Sequence, residues 1–170
     1  VLILAKRKVE TAYAAARLPA DNVKIASLDI ERMGSAFAPQ DRVARIYINF
    51  CNPWSKNAGS HKHRLTHPRQ LLQYRRLMDE GAEIWFKTDD DDLFRDSLAY
   101  FPAAGFAITW QTADLHADEP AWNLRTEHEG MFSEQGIPIK ALIARKGPDD
   151  TVTWVEPKAR TRGEDADAPA

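Results

Sequence analysis

The residues Asn52-Pro53-Trp54-Ser55-Lys56 bring together side chains that could hold a nucleobase beside a reactive group. An amide such as Asn52 both donates and accepts hydrogen bonds. Pro53 stiffens the turn and restricts the residue before it. Trp54 offers a flat apolar face on which a base can stack. Lys56 adds a point charge of the kind that meets phosphate. The same five residues also suit a plain strand exit with a buried tryptophan and an Asx-type turn, so local chemistry leaves both readings open.

Other residues carry two readings each. Asp29 closes a short apolar run and could be a ligand or a helix cap. The run Asp89–Asp92 could hold a cation, yet acidic residues are also favoured at a helix start by its dipole. Thr126 and Glu129 have capping-box spacing, and a helix start of that kind can also receive an anion. His61-Lys62-His63 sits in a polar loop without carboxylates, which favours solvated or phosphate-facing side chains over a metal site. No metal is expected. Cys51 has no base arranged around it and reads as packed rather than nucleophilic.

The elements that must position these residues alternate in type. Residues 1–17 carry a helical apolar stripe (Leu2, Ala5, Val9, Ala12, Tyr13, Ala16) broken by Pro19. A short strand is expected over Val23–Leu28, a short helix over Ile30–Phe37, and a buried strand over 44–50, rich in β-branched and aromatic residues. Thr66 is the expected N-cap of a helix with Pro68 in its first turn and Gly81 beyond its end. A strand over 82–88, a helix opened by Asp89–Asp92, a strand over 106–112, a short helix after Thr126 and a final strand over 137–146 complete the pattern. Trp85 and Trp110 lie within strands and are expected in the core. Alternation predicts a doubly wound α/β sheet, mostly parallel with helices on both faces, and the two closing strands predict an antiparallel edge hairpin. In such sheets ligands bind beyond the carboxyl ends of the strands, where Asn52 and Asp89 fall.

Composition sets the limits. The chain has 170 residues, 44% apolar and 28% charged, with a formal net charge of −2, which is ordinary for one globular domain. Charge is uneven along it. Residues 56–76 hold Lys56, Lys62, Arg64, Arg69, Arg75, Arg76 and three histidines with no acid, whereas the segment after Gly163 is acidic. A basic segment in a near-neutral protein is compatible with a phosphate partner. The single cysteine rules out an internal disulfide and a Cys-based zinc site. No apolar run approaches the roughly 20 residues needed to cross a bilayer. Residues 1–146 read as one domain and 147–170 as an acidic, disordered tail.

Several motifs in order resemble the bacterial tRNA (guanine-N7-)-methyltransferases. They are Asn49-Phe50-Cys51-Asn52-Pro53-Trp54-Ser55-Lys56, Arg64-Leu65-Thr66-His67-Pro68-Arg69-Gln70, Glu83-Ile84-Trp85-Phe86-Lys87-Thr88-Asp89-Asp90, Asp114-Leu115-His116, and Thr126-Glu127-His128-Glu129 with Met131-Phe132. The resemblance implies a class I, Rossmann-like fold that uses S-adenosylmethionine to methylate N7 of a guanine in the tRNA variable loop, in the cytoplasm. It implies cofactor contact for Asp29 and Asn52, with Asn52 catalytic, and substrate contact for Lys56, Asp89, Thr126 and Glu129. Asn52 stands where many members carry Asp. Guanine N7 is already a lone-pair nucleophile, so positioning and electrostatics matter more than a base. The eight glycines form no Gly-x-Gly pattern. In the family the glycine-rich cofactor loop, its strand and the acidic residue that grips the ribose precede the position of Val1, so the chain is expected to be the C-terminal portion of the domain, with N-terminal strands missing. Two alternatives stand beside this. An amino methyltransferase acting on adenine or cytosine has a loosely similar Asn/Asp-Pro-Pro-aromatic motif. A non-catalytic RNA-binding remnant would need no cofactor loop.

Overall fold

The computed structural model describes residues 2–157, so residues 158–170 of the expected tail 147–170 lie outside the described residues, whereas 147–157 are described. Contacts divide the chain into two compact units, Val1–Ala38 and Pro39–Ala170.

The first unit holds helix α1 (Leu2–Ala15) and a 3-10 turn at Ile30–Ser35. Leu2 and Val9 of the expected stripe line a cleft of about 410 Å³ with Val23 and Ile25. The strand expected over Val23–Leu28 does not form, and the segment has no regular secondary structure. β-branched residues favour extension, but a strand exists only through ladder hydrogen bonds, and none of the described strands pairs with it. Asp29 Oδ1 accepts from the Glu31 N–H at 3.0 Å, which caps the 3-10 turn.

The second unit is built on four strands, β1 (Arg45–Asn49), β2 (Glu83–Thr88), β3 (Phe106–Thr112) and β4 (Lys140–Lys146), with helices α2 (Pro68–Arg75), α3 (Asp91–Ala103) and α4 (Glu127–Glu134). The sheet order is β1-β2-β4-β3. β1 and β2 are parallel, and β4 is antiparallel to both of its neighbours. β1, β2 and β3 therefore share one direction, and where the sequence predicts an antiparallel edge hairpin, β4 lies between β2 and β3, antiparallel to both, with α4 in the β3–β4 connection. The chain is an α/β protein with a mixed, Rossmann-like sheet.

One sheet face carries Ile48, Ile84, Phe86, Phe106, Leu142 and Ala144, and Leu93 and Phe101 of α3 are equally buried. The Phe101 ring lies 6.4 Å from Phe86 and 6.0 Å, edge-on, from Phe106. On the other face Trp85 and Trp110 are only half-buried. Trp122, from the loop before α4, meets their rings at 4.7 and 5.1 Å. Beside them Leu115, Ile139 and Ala141 pack with Phe50, Trp110 and Phe132.

The helix caps follow local chemistry with one exchange. Asp90 Oδ1 accepts from the Leu93 N–H at 2.7 Å and starts α3. At α2 the cap is His67 rather than Thr66, and its Nδ1 accepts from the Arg69 N–H at 3.2 Å. Thr66 is fully buried, and its hydroxyl is taken by Ser97 Oγ of α3 at 2.7 Å. Buried Arg75 closes the far end of the sheet by donating to the carbonyls of Gly105, Gly147 and Pro148 and to Asp149. The Thr153 and Trp154 N–H groups then bond the Ala103 carbonyl, which fixes residues 147–154 against the end of α3.

Candidate active site

β1 and β2 deliver their carboxyl ends side by side, because the Phe50 N–H extends the pairing to the Lys87 carbonyl at 3.0 Å. The chain then turns sharply. Phe50 and Trp54 adopt the left-handed conformation with φ of 52° and 49°, which costs a non-glycine residue about 1 kcal/mol or more. Asn52 lies between them, and its Oδ1 accepts from the Trp54 N–H at 3.0 Å. This is an Asx turn. The amide oxygen is thereby committed to the backbone, while Asn52 Nδ2 has no partner among the described residues. Trp54 is not buried. The residue is 40% exposed, its ring is tilted against His63 at 5.2 Å, and its carbonyl accepts from Ser60 Oγ at 3.1 Å.

The basic segment is less uniform than its composition suggests. Arg64 is fully buried. Its Nε donates to the Pro53 carbonyl and its guanidinium to Asp96 of α3, both at 2.6 Å. Arg64 and Arg75 are thus structural cations. Lys56 is exposed and has no ion pair among the described residues.

After β2, Asp89 is half-buried, and its carbonyl accepts from Lys140 Nζ at 3.0 Å while that lysine also pairs with Asp91 at 2.8 Å. α4 starts nearby, since Phe50 stacks on His128 at 5.9 Å and meets Phe132 at 5.6 Å. The expected capping box is present. Thr126 Oγ1 accepts from the Glu129 N–H at 3.2 Å, and Glu129 Oε2 accepts from the Thr126 N–H at 3.3 Å.

Glu129 does more than cap. It is fully buried, and four donors converge on its two oxygens. Oε2 also receives Lys87 Nζ at 2.9 Å, and Oε1 receives His116 Nε2 at 2.9 Å and Asn123 Nδ2 at 2.8 Å. Burial pushes this carboxyl up, but the hydrogen bonds from Asn123, Lys87 and His116 outweigh it and hold the group below the usual carboxylate range. Glu119 beside it is paired with Arg125 and Asn123, which lowers it to about 2. His116, Glu119 and Glu129 present ligand atoms within 4.8 Å of one another, the arrangement of a cation site. Those oxygens are already engaged by Lys87, Asn123, Arg125 and backbone N–H donors, so the group is satisfied by the chain's own cations.

The sheet edge therefore gathers Asn52, Asp89, Thr126 and Glu129, with Lys56 on the adjoining loop. Asp29 belongs to the first unit, where it caps the 3-10 turn with one oxygen. Cys51 is half-buried, and burial pushes its thiol up to about 11. Sequence reading passed over Lys87, Arg64, His116 and Asn123 as members of the site. A lysine directly after the apolar run Ile84-Trp85-Phe86 was the one available signal for Lys87, because a buried ammonium requires a partner.

Comparison with known proteins adds the family. The family described as "Putative methyltransferase" matches residues 4–142. The chain is 52% identical over 146 residues to a tRNA (guanine-N(7)-)-methyltransferase of Clostridium perfringens (strain SM101 / Type A), covering 86% of this chain and 66% of that protein. It is 53% identical over 146 residues to the protein of the same name from Clostridium beijerinckii, with the same coverage. A third, from Desulfitobacterium hafniense (strain Y51), is 48% identical over 128 residues, 74% of this chain and 58% of the relative. The chain thus spans about two thirds or less of the length of these curated relatives. Since the family match runs unbroken from α1 through the strand ends that carry Asn52 and Asp89 into β4, the chain belongs to this methyltransferase family.

Proposed function

We propose that the protein transfers a methyl group from S-adenosylmethionine to N7 of a guanine in tRNA, at the variable loop, and that residues 1–146 form part of the methyltransferase domain that does so. The observation that carries this reading is the identity of about half the residues with proteins named tRNA (guanine-N(7)-)-methyltransferase, across the same strand ends where the site is assembled. A tRNA-modifying enzyme works where tRNA is made and used, which for a bacterial chain is the cytoplasm.

We infer cofactor contact for Asp29, whose Oδ1 caps the 3-10 turn of the first unit, and for Asn52 of the second unit, whose Oδ1 holds the turn while Nδ2 is a donor. When bound, S-adenosylmethionine supplies a sulfonium methyl that guanine N7 takes up with its lone pair, the S–C electron pair returning to sulfur and no proton being lost. The chain then has no proton to remove, and an amide at position 52 suffices where a carboxylate could also stand. Asn52 holds the strand-end turn and directs Nδ2 as a donor. Lys56 meets RNA phosphate. Asp89 accepts from donors on the guanine edge. Thr126 and Glu129 act through the start of α4.

Incubating the protein with tRNA and labelled S-adenosylmethionine, followed by nucleoside mass spectrometry, tests the reading. Label in 7-methylguanosine is the expected result. Label in N6-methyladenosine or a methylated cytidine would replace it with an amino methyltransferase, and salt-sensitive tRNA binding without transfer would leave an RNA-binding remnant.

A further inference from the structure

We propose that Lys87 is a positioning residue that clamps the loop 114–126 and the start of α4 onto the carboxyl end of β2. This rests on the proposed function only in saying that the clamped segment is the wall against which RNA binds.

Lys87 belongs to β2, in the middle of the sheet, and is 8% exposed. An ammonium has three N–H donors. All three go to one short stretch of chain: Asn123 Oδ1, the Leu124 carbonyl at 3.1 Å and Glu129 Oε2 at 2.9 Å. None is spent on the sheet or left for a ligand. The acceptors are knitted together in turn. Asn123 Nδ2 donates to both Glu119 at 2.6 Å and Glu129 at 2.8 Å, and His116, held by Ser133 Oγ at 3.2 Å, closes the remaining side of Glu129. Asn123, Glu119 and Arg125 lie outside regular structure and have no ladder to hold them. Trp122 and Leu115 pack the loop against the sheet, and the polar attachment of its irregular stretch 119–125 runs through the Lys87 cation.

The consequence is positional. Lys87 immediately precedes Thr88 and Asp89, so the residue that fixes Thr126 is one peptide removed from the strand end that presents Asp89. Glu129 has no oxygen free for substrate in this arrangement. Its contribution to RNA binding passes through where it holds Thr126, and that place is set by Lys87. A buried pair broken on one side leaves an uncompensated charge, and the segment must open to solvate it.

The test is Lys87→Met, with the milder Asn123→Ala as a second variant that keeps the charges and removes the bonds of Asn123 to Lys87, Glu119 and Glu129. Amide hydrogen exchange over residues 114–130 should rise about tenfold or more in Lys87→Met and about threefold in Asn123→Ala, while α3 keeps its protection. KM for tRNA should rise about tenfold in Lys87→Met with kcat changed by less than about threefold. Lys87→Met/Glu129→Gln, a neutral pair in which Gln still caps, should recover most of the exchange protection. Unchanged exchange over 114–130 in both single variants would overturn the clamp, as would an increase spread evenly over the chain. Exchange that rises in the segment while the parent makes no 7-methylguanosine would uphold the clamp and remove the functional reading alone.

Discussion

At the strand exit, one side chain performs two tasks with two different atoms. Asn52 Oδ1 holds the Trp54 N–H, so the oxygen fixes a turn flanked by two left-handed residues while Nδ2 is kept for a ligand. Asn52→Ala removes both. It should lower turnover at least about tenfold through lost positioning and cost about 1 kcal/mol of stability from the turn bond. Asn52→Asp keeps the acceptor and should leave the melting temperature within about 2 °C while changing turnover alone. Equal melting losses in the two variants would show that the Asx turn is not what stabilises the exit. Cys51, next to it, is a packing residue. With its thiol pushed up to about 11 by burial, its thiolate fraction at pH 8 falls more than about a hundredfold below that of a free cysteine. Iodoacetamide should label it slowly in the folded protein and within minutes after denaturation. Rapid labelling of the folded protein would contradict the burial.

Elements were legible wherever their signal is local. The capping box at Thr126 and Glu129, the acidic start of α3 within Asp89–Asp92 and the apolar runs of β1 and β2 each need only their own neighbours, and the structure forms them. What failed depends on partners distant in sequence. Val23–Leu28 has strand composition but no ladder partner among the described strands. Thr66 is as good a cap as His67 until Ser97 takes its hydroxyl. Arg64 counted as one more cation in a basic stretch, yet it links the Pro53 carbonyl to Asp96 across 32 residues, a contact no spacing rule contains. Removing it leaves a part-buried carbonyl unpaired and a partly exposed Asp96 without its guanidinium. Arg64→Met should therefore cost about 2–3 kcal/mol in urea denaturation, discounted because Asp96 keeps some solvent. Cleavage within residues 55–63 should become faster in the same variant. A change below about 0.5 kcal/mol would mean that the loop holds its place through Ser60 and Trp54 alone.

For the molecule as a whole, the same buried polar contacts set how stability responds to pH. Hydrogen bonds hold Glu129 below its ordinary value despite burial, Arg125 and Asn123 bring Glu119 to about 2, and the Trp85 indole N–H and Arg145 lower Glu83. A carboxyl depressed in the folded state binds its proton later than in the unfolded chain. Its contribution is complete above the unfolded value, about 4.3 for Glu, and disappears as pH falls through the folded value. His67 behaves alike for a different reason. Burial lowers it, so the unfolded chain takes up a proton first as pH falls below about 6.5. Two steps are expected when urea midpoints are followed downward from pH 8: a shallow loss beginning near the histidine value and a steeper one from about pH 5 toward pH 2. His67→Gln should flatten the first step alone. Glu129→Gln should flatten part of the second and leave the first in place, because the neutral amide still caps α4 but no longer changes charge. A Glu129→Gln profile parallel to the parent below pH 5 would mean that Lys87 gains nothing from the ionised carboxylate, and that the sheet and the 114–134 segment are joined by packing around Leu115 and Phe132 instead.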